Sequence, residues 1–183
     1  MNGKYNTLLD VISASMEAVG TKYFNFEVAG NDAPIQRERA YCAELYHQVR
    51  NRHQEIGGNY DINSEPNKKN HPIIEDHCGP VDPDFIIHNG GKMGPEDNLA
   101  VIEVKTSNGD LTEGIKKDLE TINCMTSIEN GYFGGIIIVF GELTDLKRGN
   151  LITRIKGYKS ATMPRLSLFL QLLPETKPEI IEI

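Results

Sequence analysis

Two nearly continuous apolar stretches with one amphipathic helix pattern between them constrain the fold of this chain most. The first holds Leu99, Ala100, Val101, Ile102 and Val104, and the second is Ile136-Ile137-Ile138-Val139-Phe140. A run with no polar face belongs to a strand covered on both sides. Between them, Leu111, Ile115, Leu119, Ile122 and Met125 make one stripe at helical spacing. Asp110-Leu111-Thr112-Glu113 reads as a capping box with Asp110 as N-cap, and Asn130-Gly131 ends the helix. Strand, helix and buried strand predict a right-handed crossover in a mixed sheet, with strands over Leu99–Thr106 and Gly135–Phe140.

The remaining elements fall around this unit. Leu8, Leu9, Val11, Ile12 and Met16 mark a first helix, with Asn6 or Thr7 as cap. A second helix runs from about Gln36 to Glu55 and stops at Gly57-Gly58. Residues 59–80 are polar, contain Pro66, Pro72 and Pro80, and read as a short strand plus loop with Lys68-Lys69 exposed. Phe85–His88 is a strand, followed by a turn region from Asn89-Gly90-Gly91 through Gly94-Pro95. Glu142–Tyr158 reads as one or two short helices, Leu166–Leu173 as a last strand on an edge, and Pro174–Ile183 as an extended tail. No internal repeat is visible, and 183 residues suit one domain spanning 1–183.

Composition excludes some classes. No apolar run approaches a membrane span, and Met1-Asn2-Gly3-Lys4-Tyr5 lacks the basic and apolar parts of a signal peptide. Cys42, Cys78 and Cys124 are odd in number and scattered, which argues for a reducing cytoplasm and against a disulfide framework. A net charge of −7 disfavours a strong non-specific grip on nucleic acid. Leu146–Arg165 runs against that balance: Lys147, Arg148, Arg154, Lys156, Lys159 and Arg165 occur there with no Asp or Glu. Such a segment, with Arg154, Lys156 and Lys159 at its centre, offers a local surface for a phosphate backbone.

The chemistry-bearing residues lie on the central strands. Glu103 and Lys105 are two apart on one strand and project to the same face. If the strand at Phe85 pairs with it as a hairpin, Asp84 joins them. Two carboxylates and an ammonium on a sheet are costly to bury without a role. They suit a hard divalent cation, Mg2+ or Mn2+, with Asp84 and Glu103 as ligands and the Val104 backbone carbonyl as a third. Lys105 would orient the attacking water, and if it lay against the buried sheet its pKa would fall and let it help deprotonate that water.

Asp84, Glu103 and Lys105, in this order and spacing, resemble the signature of the PD-(D/E)xK nuclease superfamily. The resemblance covers roughly residues 37–141. It implies the restriction-endonuclease-like fold, a central mixed β-sheet flanked by helices with an αβββαβ core. It also implies a metal-dependent endonuclease hydrolysing phosphodiester bonds of DNA, in proteins of this size often as a homodimer. In that family an acid on the first core helix often completes the metal site, and Glu44 is the candidate; Glu38 is the competing acid, expected to be exposed. His47 shares a face with Glu44, and Gln48 lies one turn on, where it can position a scissile phosphate. Lys116 and Lys117 follow Lys105 on the next helix, where family members often approach the substrate backbone. Two other readings stay open: a catalytically silent nuclease fold used as a scaffold, and an RNA-cleaving enzyme of the same chemistry, which His47 beside Glu44 would suit. His71, His77 and Cys78 lack the paired spacing of a zinc site. Gly90-Gly91 and Gly94 are followed by no Gly-Lys-Ser/Thr, so they form no phosphate loop.

Overall fold

The structure is a computed structural model that describes residues 1–65, 72–92, 94, 96–163 and 165–183. Pro66, Lys68, Lys69, His71 and Pro95 lie outside the described residues. Among the described residues, six helices and six strands follow in the order α1 (Asn2–Glu17), α2 (Thr21–Phe24), α3 (Glu38–Arg52), β1 (Asp61–Ser64), α4 (Pro72–Cys78), β2 (Phe85–His88), β3 (Asn98–Thr106), α5 (Glu113–Ser127), β4 (Gly134–Phe140), α6 (Asp145–Tyr158), β5 (Leu166–Gln171) and β6 (Glu179–Glu182). A 3-10 turn, His53–Ile56, extends α3 and ends at Gly57, whose φ of 73° needs no Cβ.

The strands form one mixed sheet in chain order. β1, β2 and β3 are antiparallel, β3, β4 and β5 are parallel, and β6 returns antiparallel to β5. The expected crossover is the link from β3 through α5 to β4. Both faces are covered, which is why β3 and β4 are apolar almost throughout. Ala100, Ile102, Val104, Ile136 and Ile138 pack with α1 and α3. Val101, Ile137 and Val139 pack with Ile115, Leu119 and Ile122 of α5 and with Leu151 and Ile155 of α6. Gly135 lets α5 approach closely: a Cβ there would lie 2.1 Å from Ile122 Cγ2.

Several sequence expectations are corrected. Leu166–Gln171 is an internal strand, because the tail expected to be merely extended folds back as β6 and takes the edge. The stretch read as loop after β1 contains α4; the proline at its first position is compatible with a helix start, where the missing amide has no partner to lose. Glu142–Tyr158 yields one helix, capped by Thr144 Oγ1 accepting from Lys147 N at 3.3 Å. α1 begins at Asn2 rather than at Asn6 or Thr7, and the Thr7 hydroxyl donates back to Gly3 O. Asp110 does cap, but two residues before the N-cap: its Oδ1 accepts from Thr112 N at 2.8 Å and Glu113 N at 3.2 Å. Cys78 and Cys124 form a disulfide between α4 and α5, across 46 residues of sequence, so the scattered cysteines do include a pair. No helix among the described residues is long and apolar enough to cross a membrane.

Candidate active site

The β2–β3 register places the candidate residues at one end of the sheet. Phe85 pairs with Ile102, so Asp84 falls level with Glu103. Asp84 Oδ2 accepts a 2.7 Å hydrogen bond from Val104 N, which fixes that carboxylate against β3. Glu103 and Lys105 lie opposite Ile137 and Val139 on the face that α5 crosses. Glu103 is buried, and the Lys105 side chain is 19% exposed.

Two acids join them that the sequence reading passed over or discounted. Asp118 of α5 is buried, with Oδ2 3.1 Å from Lys105 Nζ, a charge contact rather than a well-angled hydrogen bond. Glu38, expected to be exposed, is half-buried at the start of α3 with Oε1 3.8 Å from Lys105 Nζ. A signal for Asp118 was present: it follows Ile115 by three residues and precedes Ile122 by four, so a carboxylate interrupts the apolar stripe. Glu38 had no comparable signal, since the turn that aims it is tertiary.

The electrostatics follow from burial. Asp84 is raised by desolvation, against the Val104 amide that favours its anion. Glu103 is raised well above the ordinary range by burial and then by Asp118 and Asp84. Burial pushes Asp118 up to about 6, even with the Lys105 ammonium beside it. Glu38 is raised by burial, with Lys105 opposing. For Lys105 the expectation of a lowered pKa is overturned. Burial alone would lower it, but Asp118, Glu38 and Asp84 together outweigh that and hold it above the ordinary lysine value. It is therefore an ammonium at neutral pH and not a base.

A cleft of about 380 Å3 opens beside the cluster, between α3 and the β1–β2 pair, lined by Glu38, Arg39, Cys42, Ser64, Glu65 and Asp84 among others. The donors are hard carboxylate oxygens, the right chemistry for Mg2+ or Mn2+. Among the described residues, however, no three or more His, Cys, Asp and Glu side chains are arranged to hold a metal ion. The Val104 carbonyl, the expected third ligand, accepts the Lys105 ammonium at 3.1 Å.

The other expected site residues are dispersed. Glu44 accepts from Gln48 Nε2 at 2.7 Å, so these two satisfy each other on α3. His47 is exposed and pairs with Asn51 Nδ2 at 3.0 Å. Lys116 is half-buried and Lys117 exposed on α5. The basic run does not make one surface. Arg154 donates to Thr112 Oγ1, near the end of β3. Lys156, two residues on, projects from the opposite side of α6, and Lys159, its C-cap, donates to the Ile183 carbonyl. Arg148 pairs with Glu179, and Arg165 sits 5.3 Å from the Phe133 ring centre. Compared with known proteins, the chain matches no family model, no curated protein and no solved structure.

Proposed function

We propose that this chain is a metal-dependent nuclease of the PD-(D/E)xK type, hydrolysing phosphodiester bonds of DNA with Mg2+ or Mn2+, as a homodimer; the cytoplasmic location expected from scattered cysteines loses that support, since Cys78 and Cys124 are paired. The observation that carries the reading is the convergence of Asp84, Glu103 and Lys105 at one end of β2 and β3, tied by the bond from Val104 N to Asp84. The order α3, β1, β2, β3, α5, β4 also runs as an αβββαβ core with α4 inserted, as the restriction-endonuclease-like fold requires.

Asp84 and Glu103 would hold the ion, and the raised proton affinity of both is what a nearby cation relieves. When bound, such an ion supplies an activated water and neutralises charge on the phosphate. The chain's own part is clearer for Lys105. Held protonated by Asp118 and Glu38, it brings positive charge to the end of β3, where it stabilises a phosphorane-like anion. Asp118 and Glu38 act through it as positioning residues. With one Asp84 oxygen fixed by the Val104 amide, the other oxygen is preoriented.

Calorimetry with MnCl2 and MgCl2 on wild type, Asp84→Ala and Glu103→Ala, beside a supercoiled-plasmid nicking assay, tests this. Binding and nicking in the wild type that vanish in both variants are expected. A wild type that binds neither ion overturns the reading. It would favour the silent scaffold. The RNA reading loses the feature that suggested it, since His47 points its ring to Asn51.

A further inference from the structure

A second cavity, of about 310 Å3, lies between the loop that joins β3 to α5 and the side of α6. Ser107, Asp110, Thr112, Lys147, Asn150 and Arg154 contribute its polar lining. It neighbours the acid cluster: Ser107 follows Lys105 by two residues, and a Cβ on Gly114 would lie 3.6 Å from Lys105 Cε. The groove thus sits just beyond the carboxyl end of β3, where crevices of open α/β sheets take ligands, and the acid cluster lies within the last residues of that strand.

Its charge is of the opposite kind to the cluster's. Among the described residues neither Lys147 nor Arg154 has a carboxylate within ion-pair distance, in a chain of net charge −7. The one acid in the lining, Asp110, turns its Oδ1 to the Thr112 and Glu113 amides, so its charge is directed at the helix start. Arg154 spends one N–H on Thr112 Oγ1, which anchors the guanidinium and leaves most of its five donors unused. An anchored Arg and a Lys beside hydroxyls make a phosphate seat, the Arg forking two oxygens and the Lys acting as a point charge.

We infer that this groove binds a backbone phosphate of the nucleic-acid strand next to the one at Lys105, with Arg154 and Lys147 as its cations. The inference rests on the nuclease reading for the identity of the strand. It also separates Arg154 from Lys156 and Lys159, which the sequence grouped with it: Lys147, Asn150, Leu151 and Arg154 share the helix side that lines the groove, while Lys156, two residues on from Arg154, projects from the opposite side and Lys159 is the C-cap of α6.

The test is fluorescence anisotropy with a labelled DNA duplex and its single strand in EDTA, so that no metal or turnover is involved. Arg154→Ala and Lys147→Ala are expected to weaken binding about tenfold each. Each should reduce the slope of log affinity against log salt by about 1, the signature of one lost phosphate contact. Arg154→Lys should fall between, keeping charge and losing the fork. Lys156→Ala should bind as the wild type does, and melting curves by circular dichroism check that the variants fold. The inference is overturned if the wild type binds neither strand form, or if folded Arg154→Ala and Lys147→Ala keep wild-type affinity and salt slope. Variants that lose DNA binding in a protein that neither binds Mn2+ nor nicks leave the groove standing and remove the nuclease reading. Nicking and Mn2+ affinity that survive intact with unchanged DNA binding do the reverse.

Discussion

Asp118 should make this protein less stable as pH rises from 4 to 6, the opposite of a carboxylate stabilised by a salt bridge. Its pKa in the fold is about 6 against an ordinary 3.8. Between those values the folded chain keeps a proton that the unfolded chain has released, so raising the pH favours unfolding. A rise of this size corresponds to about 3 kcal/mol, lost mostly between pH 4 and pH 6. Because Asp118 is only 6% exposed, solvent screening takes little from that figure. Glu103, Asp84 and Glu38 are raised as well and add the same sign. The assay is urea unfolding followed by circular dichroism at pH 4.5, 5.5, 6.5 and 8 in EDTA, on wild type and Asp118→Asn. The asparagine mimics the neutral acid in shape. It should flatten the curve and leave the variant up to about 3 kcal/mol more stable at pH 8, a midpoint shift of about 1.5 M urea at a slope near 2 kcal/mol/M. Asp118→Asn changes the net charge of −7 by only one, so general repulsion is nearly the same in both proteins and their difference isolates Asp118. A wild-type midpoint that is flat or rises across this range, or an equal slope in Asp118→Asn, would refute the assignment of Asp118 as a desolvated acid that Lys105 only partly compensates.

Lys105→Met should abolish plasmid nicking without lowering Mn2+ affinity in calorimetry, since it removes an ammonium from Asp118 and the Val104 carbonyl rather than a ligand; a variant that nicks at the wild-type rate removes Lys105 from the chemistry. Reduction of Cys78–Cys124, or Cys124→Ser, should cost about 4 kcal/mol in urea unfolding from freed loop entropy; an unchanged midpoint with and without reductant counts against the bond. Gly135→Ala should lower the melting temperature by an amount equivalent to about 1–3 kcal/mol, because the new methyl meets Ile122 Cγ2 at 2.1 Å; a variant as stable as the wild type would mean that α5 can shift.

What the sequence discloses and what it hides divide along one line. Local periodicity located β2, β3, β4 and α5 to within a residue or two, because both faces of the sheet are buried and a covered strand has few alternatives. The same periodicity carried Glu103 and Lys105 to one face. The hidden parts depend on contacts between distant segments. β6 is a four-residue strand with mostly exposed side chains, so nothing in Glu179–Glu182 distinguishes it from tail until β5 pairs with it. Glu44 and Glu38 are both acids near the apolar face of one helix, and only the way α3 enters over the end of β3 brings Glu38, not Glu44, to Lys105. Counting cysteines does not pair Cys78 with Cys124, since the polar, proline-bearing stretch that becomes α4 and presents the first carries no helical signal of its own.

The charge balance around Lys105 bears on why such a cluster exists. The cross-strand neighbours of Glu103 and Lys105 are Ile137 and Val139, so aliphatic residues at 103 and 105 would pack the same face, commonly with no loss of stability. A lysine and Asp118 alone could be read as a structural ion pair. Asp84 and Glu103 do not fit that account, because burial raises the proton affinity of both, Asp118 and Asp84 raise that of Glu103 further, and one ammonium serves both, Asp118 and Glu38 as well. Four acids arrive from four separate segments, α3, the approach to β2, β3 and α5, at the same end of the sheet. What the cluster lacks as a structural device is positive charge, and the divalent cation proposed at Asp84 and Glu103 would supply that charge while leaving Lys105 with Asp118 and Glu38.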